Sequence, residues 1–189
     1  MIKIYSVLMV TLCLCLTGCR SFGELGARAQ DPVVYSNPTD ASEHIARIRF
    51  VGNVTGTSIL QKSNPGLKNH YLVPHTMLGF YNETRDIGIP KLTYRPQDYK
   101  GYYFEIKIRS EPTIVNISTD AGPHGYCVTS FLITPEAGKD YDLNYDQKEN
   151  SKICVLHFNE IVRDPTTSVT VLKPAPYQVK KKYGQGFDD

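Results

Sequence analysis

Tyr102-Tyr103-Phe104-Glu105-Ile106-Lys107-Ile108-Arg109 alternates without a break. Tyr102, Phe104, Ile106 and Ile108 fall on one side of an extended chain; Tyr103, Glu105, Lys107 and Arg109 fall on the other. A period of two marks a strand with one face on a core and one in water. The stretch therefore predicts a half-buried β-strand whose charged residues face solvent. The same period recurs on both sides of it. Residues 44–51 alternate Ala46, Ile48 and Phe50 with Arg47 and Arg49, and a shorter run at 57–61 follows the turn residues Gly52-Asn53 and Gly56. Downstream, 112–118 carries Ile114, Val115 and Ile117. Residues 126–133 put Cys127, Thr129, Phe131 and Ile133 on one face. In 139–145, Tyr141, Leu143 and Tyr145 alternate with Asp140, Asp142 and Asn144, and 153–159 groups Cys154, Leu156 and Phe158. A last strand is expected at 167–172. Short strands at even spacing with Gly and Pro turns between them, at 122–125 and 135–138 for example, predict an all-β chain. The expected architecture is a single antiparallel β-sandwich, immunoglobulin- or transthyretin-like.

Residues 62–100 break the pattern. Pro and Gly interrupt them repeatedly, and only 77–81 and 87–89 read as short strands. A long irregular stretch in a compact domain is commonly functional, because a rigid sheet can hold a loop out for binding. Tyr94, Tyr99, Tyr102 and Tyr103 cluster here beside Arg95 and Lys100. Tyrosine offers contact area plus a hydroxyl, which suits an interface. Tyr94, Arg95, Tyr99 and Tyr103 are the candidate partner-binding residues, with Tyr102 assigned to the core.

The N-terminus is of another kind. Lys3 precedes an apolar run from Ile4 to Leu16, which ends in Leu16-Thr17-Gly18-Cys19. A charged start, a short apolar core and small residues at the end mark a secretory signal. The run is too short to cross a bilayer, which takes about 20 apolar residues. The Leu-Thr-Gly-Cys ending resembles the lipobox of bacterial lipoproteins. The resemblance implies cleavage before Cys19, lipid on its thiol and acylation of its new amine. Arg20 in place of an Asp implies sorting to the outer membrane, facing the periplasm. The expected organisation is then a signal peptide at 1–18, a lipidated tether at 19–43, a β-sandwich at 44–172 and a flexible basic tail at 173–189. The tail holds Pro174, Pro176 and Lys180-Lys181-Lys182 and has little apolar matter to bury.

Of the 5 cysteines, Cys13 and Cys15 leave with the signal and Cys19 carries lipid. Cys127 and Cys154 remain, an even pair in an exported chain, and are expected to form a disulfide. One predicted strand separates theirs. In a flat meander the outer strands would sit about 9–10 Å apart, whereas a disulfide needs Cα atoms within roughly 7 Å. The two strands must therefore pair directly or face each other across two sheets.

A second resemblance lies in Phe131-Leu132-Ile133-Thr134-Pro135-Glu136-Ala137-Gly138-Lys139-Asp140-Tyr141. Together with Ala46-Arg47-Ile48-Arg49-Phe50, it is similar to strand–turn–strand segments of small envelope lipoproteins. It implies a β-sandwich and carries no catalytic residue.

Other functions are poorly supplied. The formal net charge is +2, with acids and bases interspersed, so no basic face points to nucleic acid. Neither a Gly-x-Ser-x-Gly elbow nor a phosphate or dinucleotide fingerprint occurs. His70, His75 and His124 are the residues a small hydrolase or metal-dependent enzyme would use. Two histidines without further ligands at a known spacing are a poor metal site. Asp140, Asp142, Asn144 and Asp146 could gather calcium oxygens, but a solvated strand face explains them more simply. No cofactor or metal is expected. The sequence thus points to a non-catalytic, lipid-anchored binding or scaffolding module of the cell envelope. Its expected partners are the membrane, through the anchor, and another envelope protein; a secretion-machine accessory subunit and an immunity lipoprotein are specific versions.

Overall fold

The computed structural model describes residues 33–74, 83–120, 126–147, 154–182, 184 and 186–187. The lipobox with Cys19, the expected strand at 77–81, His75, His124 and the turn at 122–125 lie outside the described residues. The strands are β1 (Ile45–Val51), β2 (Ser58–Gln61), β3 (His70–Tyr71), β4 (Tyr103–Arg109), β5 (Thr113–Asp120), β6 (Tyr126–Ile133), β7 (Asp140–Gln147), β8 (Cys154–Arg163), β9 (Thr170–Pro174) and β10 (Gln178–Val179). They form two five-stranded sheets, ordered β4-β1-β7-β8-β9 and β10-β6-β5-β2-β3.

The pairs are antiparallel except β1 with β7, which run parallel. This departs from the purely antiparallel expectation. Strands β2 to β6 intervene in the chain between β1 and β7, so no hairpin dictates their relative direction. The core lies between the sheets. Ile48, Phe50, Phe104, Ile106, Ile108, Leu143 and Phe158 meet Ile59, Val115, Ile117, Phe131 and Ile133. Tyr141 stacks on Phe158 at 5.1 Å. Each such side chain contributes about 1.5–3 kcal/mol on leaving water.

Packing starts earlier and ends later than composition indicates. Val34 pairs with Tyr71, and Tyr35 is buried in the core with its hydroxyl donating to Lys107 O at 2.9 Å. Asn37 Oδ1 accepts from Lys107 N, and Asp40 pairs with Arg109. Residues 33–43 thus pack on the domain that the tether was expected to precede. At the other end β9 runs to Pro174, Ala175 N donates to Phe158 O, and β10 pairs with Phe131 and Leu132 of β6. Tyr177 sets its ring edge against Phe131 at 5.9 Å. The lysine triplet dominates the composition of this segment and hides Tyr177, an aromatic that docks it on Phe131. The backbones of Cys127 and Cys154 lie in β6 and β8, in different sheets, one of the two arrangements the spacing argument allows. Their side chains lie outside what the structure describes.

Candidate functional site

Strand register builds the site. Arg49 of β1 stands opposite Glu105 of β4 on one side and Asp142 of β7 on the other. The three form a cross-strand row on the outer face of the sheet, where sequence alternation places water. Instead all three are fully buried. The cover is the irregular segment 85–100.

This segment is a strap. Arg85 pairs with the edge of β4, its N–H donating to Tyr103 O and its carbonyl accepting from Glu105 N. It thereby closes an otherwise open sheet edge. Ile89 and Leu92 bury their side chains beneath it. Residues 87–89, expected as a strand, are not one. Gly88 takes φ +86°, a left-handed conformation suited to glycine, and its N–H donates to Asp86 Oδ1. The amides of Ile87 and Ile89 donate to Glu105 Oε2, at 2.7 and 3.2 Å, rather than to a neighbouring strand.

Arg49 completes the anchor. Its Nε donates to Glu105 Oε1 at 2.8 Å, Nη1 donates to Pro90 O and Tyr99 Oη, and Nη2 donates to Ile89 O. A buried ion pair is tolerable only when its remaining donors and acceptors are satisfied, and strap carbonyls and amides satisfy these. Tyr99 Oη also accepts from Leu92 N at 2.9 Å, and its ring meets Tyr103 edge-on at 5.6 Å. Tyr103 Oη donates to Asp86 Oδ2 at 2.7 Å. Lys91 lies beside the same carboxylate at 2.9 Å and, with Tyr103, holds it well below the usual range.

Asp142 is different. Neither of its oxygens accepts a hydrogen bond among the described residues. Its ion-pair contact is Arg95 Nη1 at 3.8 Å, while Arg95 Nη2 reaches Asp98 Oδ2 at 2.7 Å. Loss of solvation pushes the Asp142 carboxyl up to about 6, despite the opposing pull of Arg95 and Arg49.

The next row is Lys107, Arg47 and Asp140. Arg47 grips Asp140 through Nε and Nη2, both at 2.6 Å. This row borders a cavity of about 380 Å³ that Asp40, Ser42 and Lys139 also line. Lys139 sits between Glu136 and Glu160, at 2.9 and 3.2 Å.

The tyrosine cluster is therefore divided. Arg95, Tyr99 and Tyr103 belong to the network that holds the strap down, and Tyr103 is buried. Tyr94 stands out, 53% exposed. Tyr102, expected inside, precedes β4 and is 50% exposed, whereas Tyr103, at the parity expected to face solvent, is buried on the strap side. Asp142 and Asn144, expected on a solvated strand face, are instead buried. His70 lies in β3 with its ring edge toward Tyr35 at 6.4 Å, and burial lowers its pKa. Among the described residues no group of three or more histidines, cysteines or carboxylates converges for a metal.

The residues that sequence reasoning missed are Arg49, Glu105, Asp142, Asp86 and Lys91. A signal was present: Glu105, Arg49 and Asp142 are charges of alternating sign at the solvent parity of three strands. Only the register shows that they stand side by side. No protein-family model, curated protein or solved structure matches this chain.

Proposed function

We propose that this chain is a non-catalytic, lipid-anchored binding or scaffolding module of the cell envelope, attached through Cys19 to the periplasmic side of the outer membrane. The lipobox-like ending Leu16-Thr17-Gly18-Cys19 supports the anchor. The fold is the immunoglobulin- or transthyretin-like kind of sandwich, with Cys127 bonded to Cys154 between its sheets. The partner is another envelope protein.

One observation carries the binding role. A strap of irregular backbone is fastened to a rigid sheet by Arg49 and Glu105 and presents Tyr94 to solvent. A loop tied at one end to a rigid sheet has fewer conformations to lose on binding than a free one, and an exposed tyrosine is a common anchor at interfaces. Tyr94 is thus the contact residue, while Arg95, Tyr99 and Tyr103 position the strap. The reading is tested by recovering the full-length protein from membranes with its partner. Tyr94→Ala should lower the partner's yield several-fold with the thermal midpoint unchanged; an unchanged yield would remove Tyr94 from the interface.

A further inference from the structure

The strap is fastened unequally along its length. Over residues 87–90 each polar group of the anchor is matched: Glu105 takes two strap amides, and Arg49 takes the carbonyls of Ile89 and Pro90. Over residues 92–99 the sheet offers Arg49 Nη1 to Tyr99 Oη, beside a carboxylate that accepts no hydrogen bond among the described residues. Asp142 is fully buried, and its nearest cation, Arg95, spends its shorter contact on Asp98. An ionised carboxylate in that position opposes closure of the strap, because lifting the strap would return it to water. A neutral carboxyl opposes it far less.

We propose that residues 91–99 are a proton-operated strap: proton uptake by Asp142 draws them onto β7, and loss of that proton loosens them while the Arg49–Glu105 anchor holds the other end.

The groups around Asp142 agree on the direction. From β1 it faces Arg49, whose charge is committed to Glu105. From the strap it faces Arg95, which favours the ionised form, and Asp98, which disfavours it. Tyr99 of the strap is a neutral neighbour that Arg49 and Leu92 already occupy. From β8 its register partner is Asn159, which carries no charge. On β7 itself, Asp140 is neutralised by Arg47 and Asn144 is uncharged. The net effect is a raised affinity for the proton in the closed state, to about 6. With the strap lifted, a hydrated carboxyl returns toward its ordinary value. Linkage then requires acid to favour closure. Between about pH 7.5 and about pH 5 the closed-to-open ratio rises about tenfold.

Hydrogen exchange on the full chain in detergent reads this directly. The backbone amides of Leu92, Arg95 and Asp98 are bonded within the strap, and their protection, corrected for the intrinsic pH dependence of exchange, reports its opening. Protection should rise about tenfold on acidification over that range, while amides of β5 stay constant. In Asp142→Asn the strap amides should keep the acid-level protection at both pH values. Protection that stays level or falls in acid, or an unaltered pH response in Asp142→Asn, would overturn the proposal. Should Asp142→Asn not fold, the carboxyl carbon of Asp142 in the unsubstituted chain is titrated by NMR. A midpoint near 6 that tracks strap protection supports the proposal, and an ordinary aspartate midpoint overturns it.

Discussion

Arg49 and Glu105 stand opposite each other in β1 and β4, joined at 2.8 Å and wholly closed off from water. Neither strand nor strap alone explains the pair. The sheet brings the charges into register, and the strap supplies the amides and carbonyls that make their burial tolerable. Breaking one partner of a buried pair costs about 3–5 kcal/mol, because the other is left uncompensated. Glu105→Gln and Arg49→Met should each lower stability by that order in denaturant titrations. The double substitution should cost clearly less than the sum of the two. Simple additivity would mean that the two side chains do not act as a unit.

Asp142 should give stability an unusual pH dependence. Its folded-state pKa lies above its unfolded one, raised from 3.8 to about 6. The native state therefore binds the proton more tightly, and this group's contribution grows as pH falls through that window. Above it the penalty of the buried charge is fully present. Asp142→Asn should therefore stabilise the fold at neutral pH, by at most about 3 kcal/mol, and should flatten the difference between pH 4 and pH 6. A large loss of stability at neutral pH on the same substitution would show that the ionised carboxylate is supported.

Tyr35 joins the later part of the expected 19–43 tether to the core. Its ring is buried and its hydroxyl bonds Lys107 O. Tyr35→Ala should cost about 3 kcal/mol, in line with other large-to-small aromatic changes in cores. Removing all residues before Ile45 should cost at least as much. A truncated chain of unchanged melting temperature would make residues 33–44 a passive linker.

Cys127 and Cys154 should be linked in the exported protein, as peptide mapping without reduction would find. On the chain-entropy view the closed loop is worth about 3–4 kcal/mol. Two freely alkylated thiols in the native exported chain would contradict the pairing.

Much of the sandwich was legible because its core residues alternate. Phe104, Ile106 and Ile108, and equally Ile48 with Phe50, point where a period of two sends them. The outer face was not legible from the same alternation. Glu105, Arg49 and Asp142 have the parity of solvent residues, yet a segment without periodicity covers them. Burial of that kind depends on a long-range meeting of 85–100 with β1, β4 and β7, which no local window contains. The parallel β1–β7 pair escaped for a related reason, since pairing between distant strands leaves no turn to read. Of the site, the tyrosine-rich segment was visible from composition. The division of labour within it was not: the hydrogen bonds that make Tyr99 and Tyr103 structural are made with residues far off in sequence, or with strap amides whose placement no pattern gives.

In the proposed role, Cys19 holds this module to the membrane and Tyr94 of the strap meets a protein partner. Photo-crosslinking in intact cells tests both halves at once, with a photoreactive amino acid in place of Tyr94 or, as a comparison, of exposed Val179. Position 94 should give a discrete membrane-bound adduct that is lost with Cys19→Ser and absent from position 179. An adduct from position 179 alone, or one from position 94 that persists on a soluble, unlipidated chain, would contradict this role.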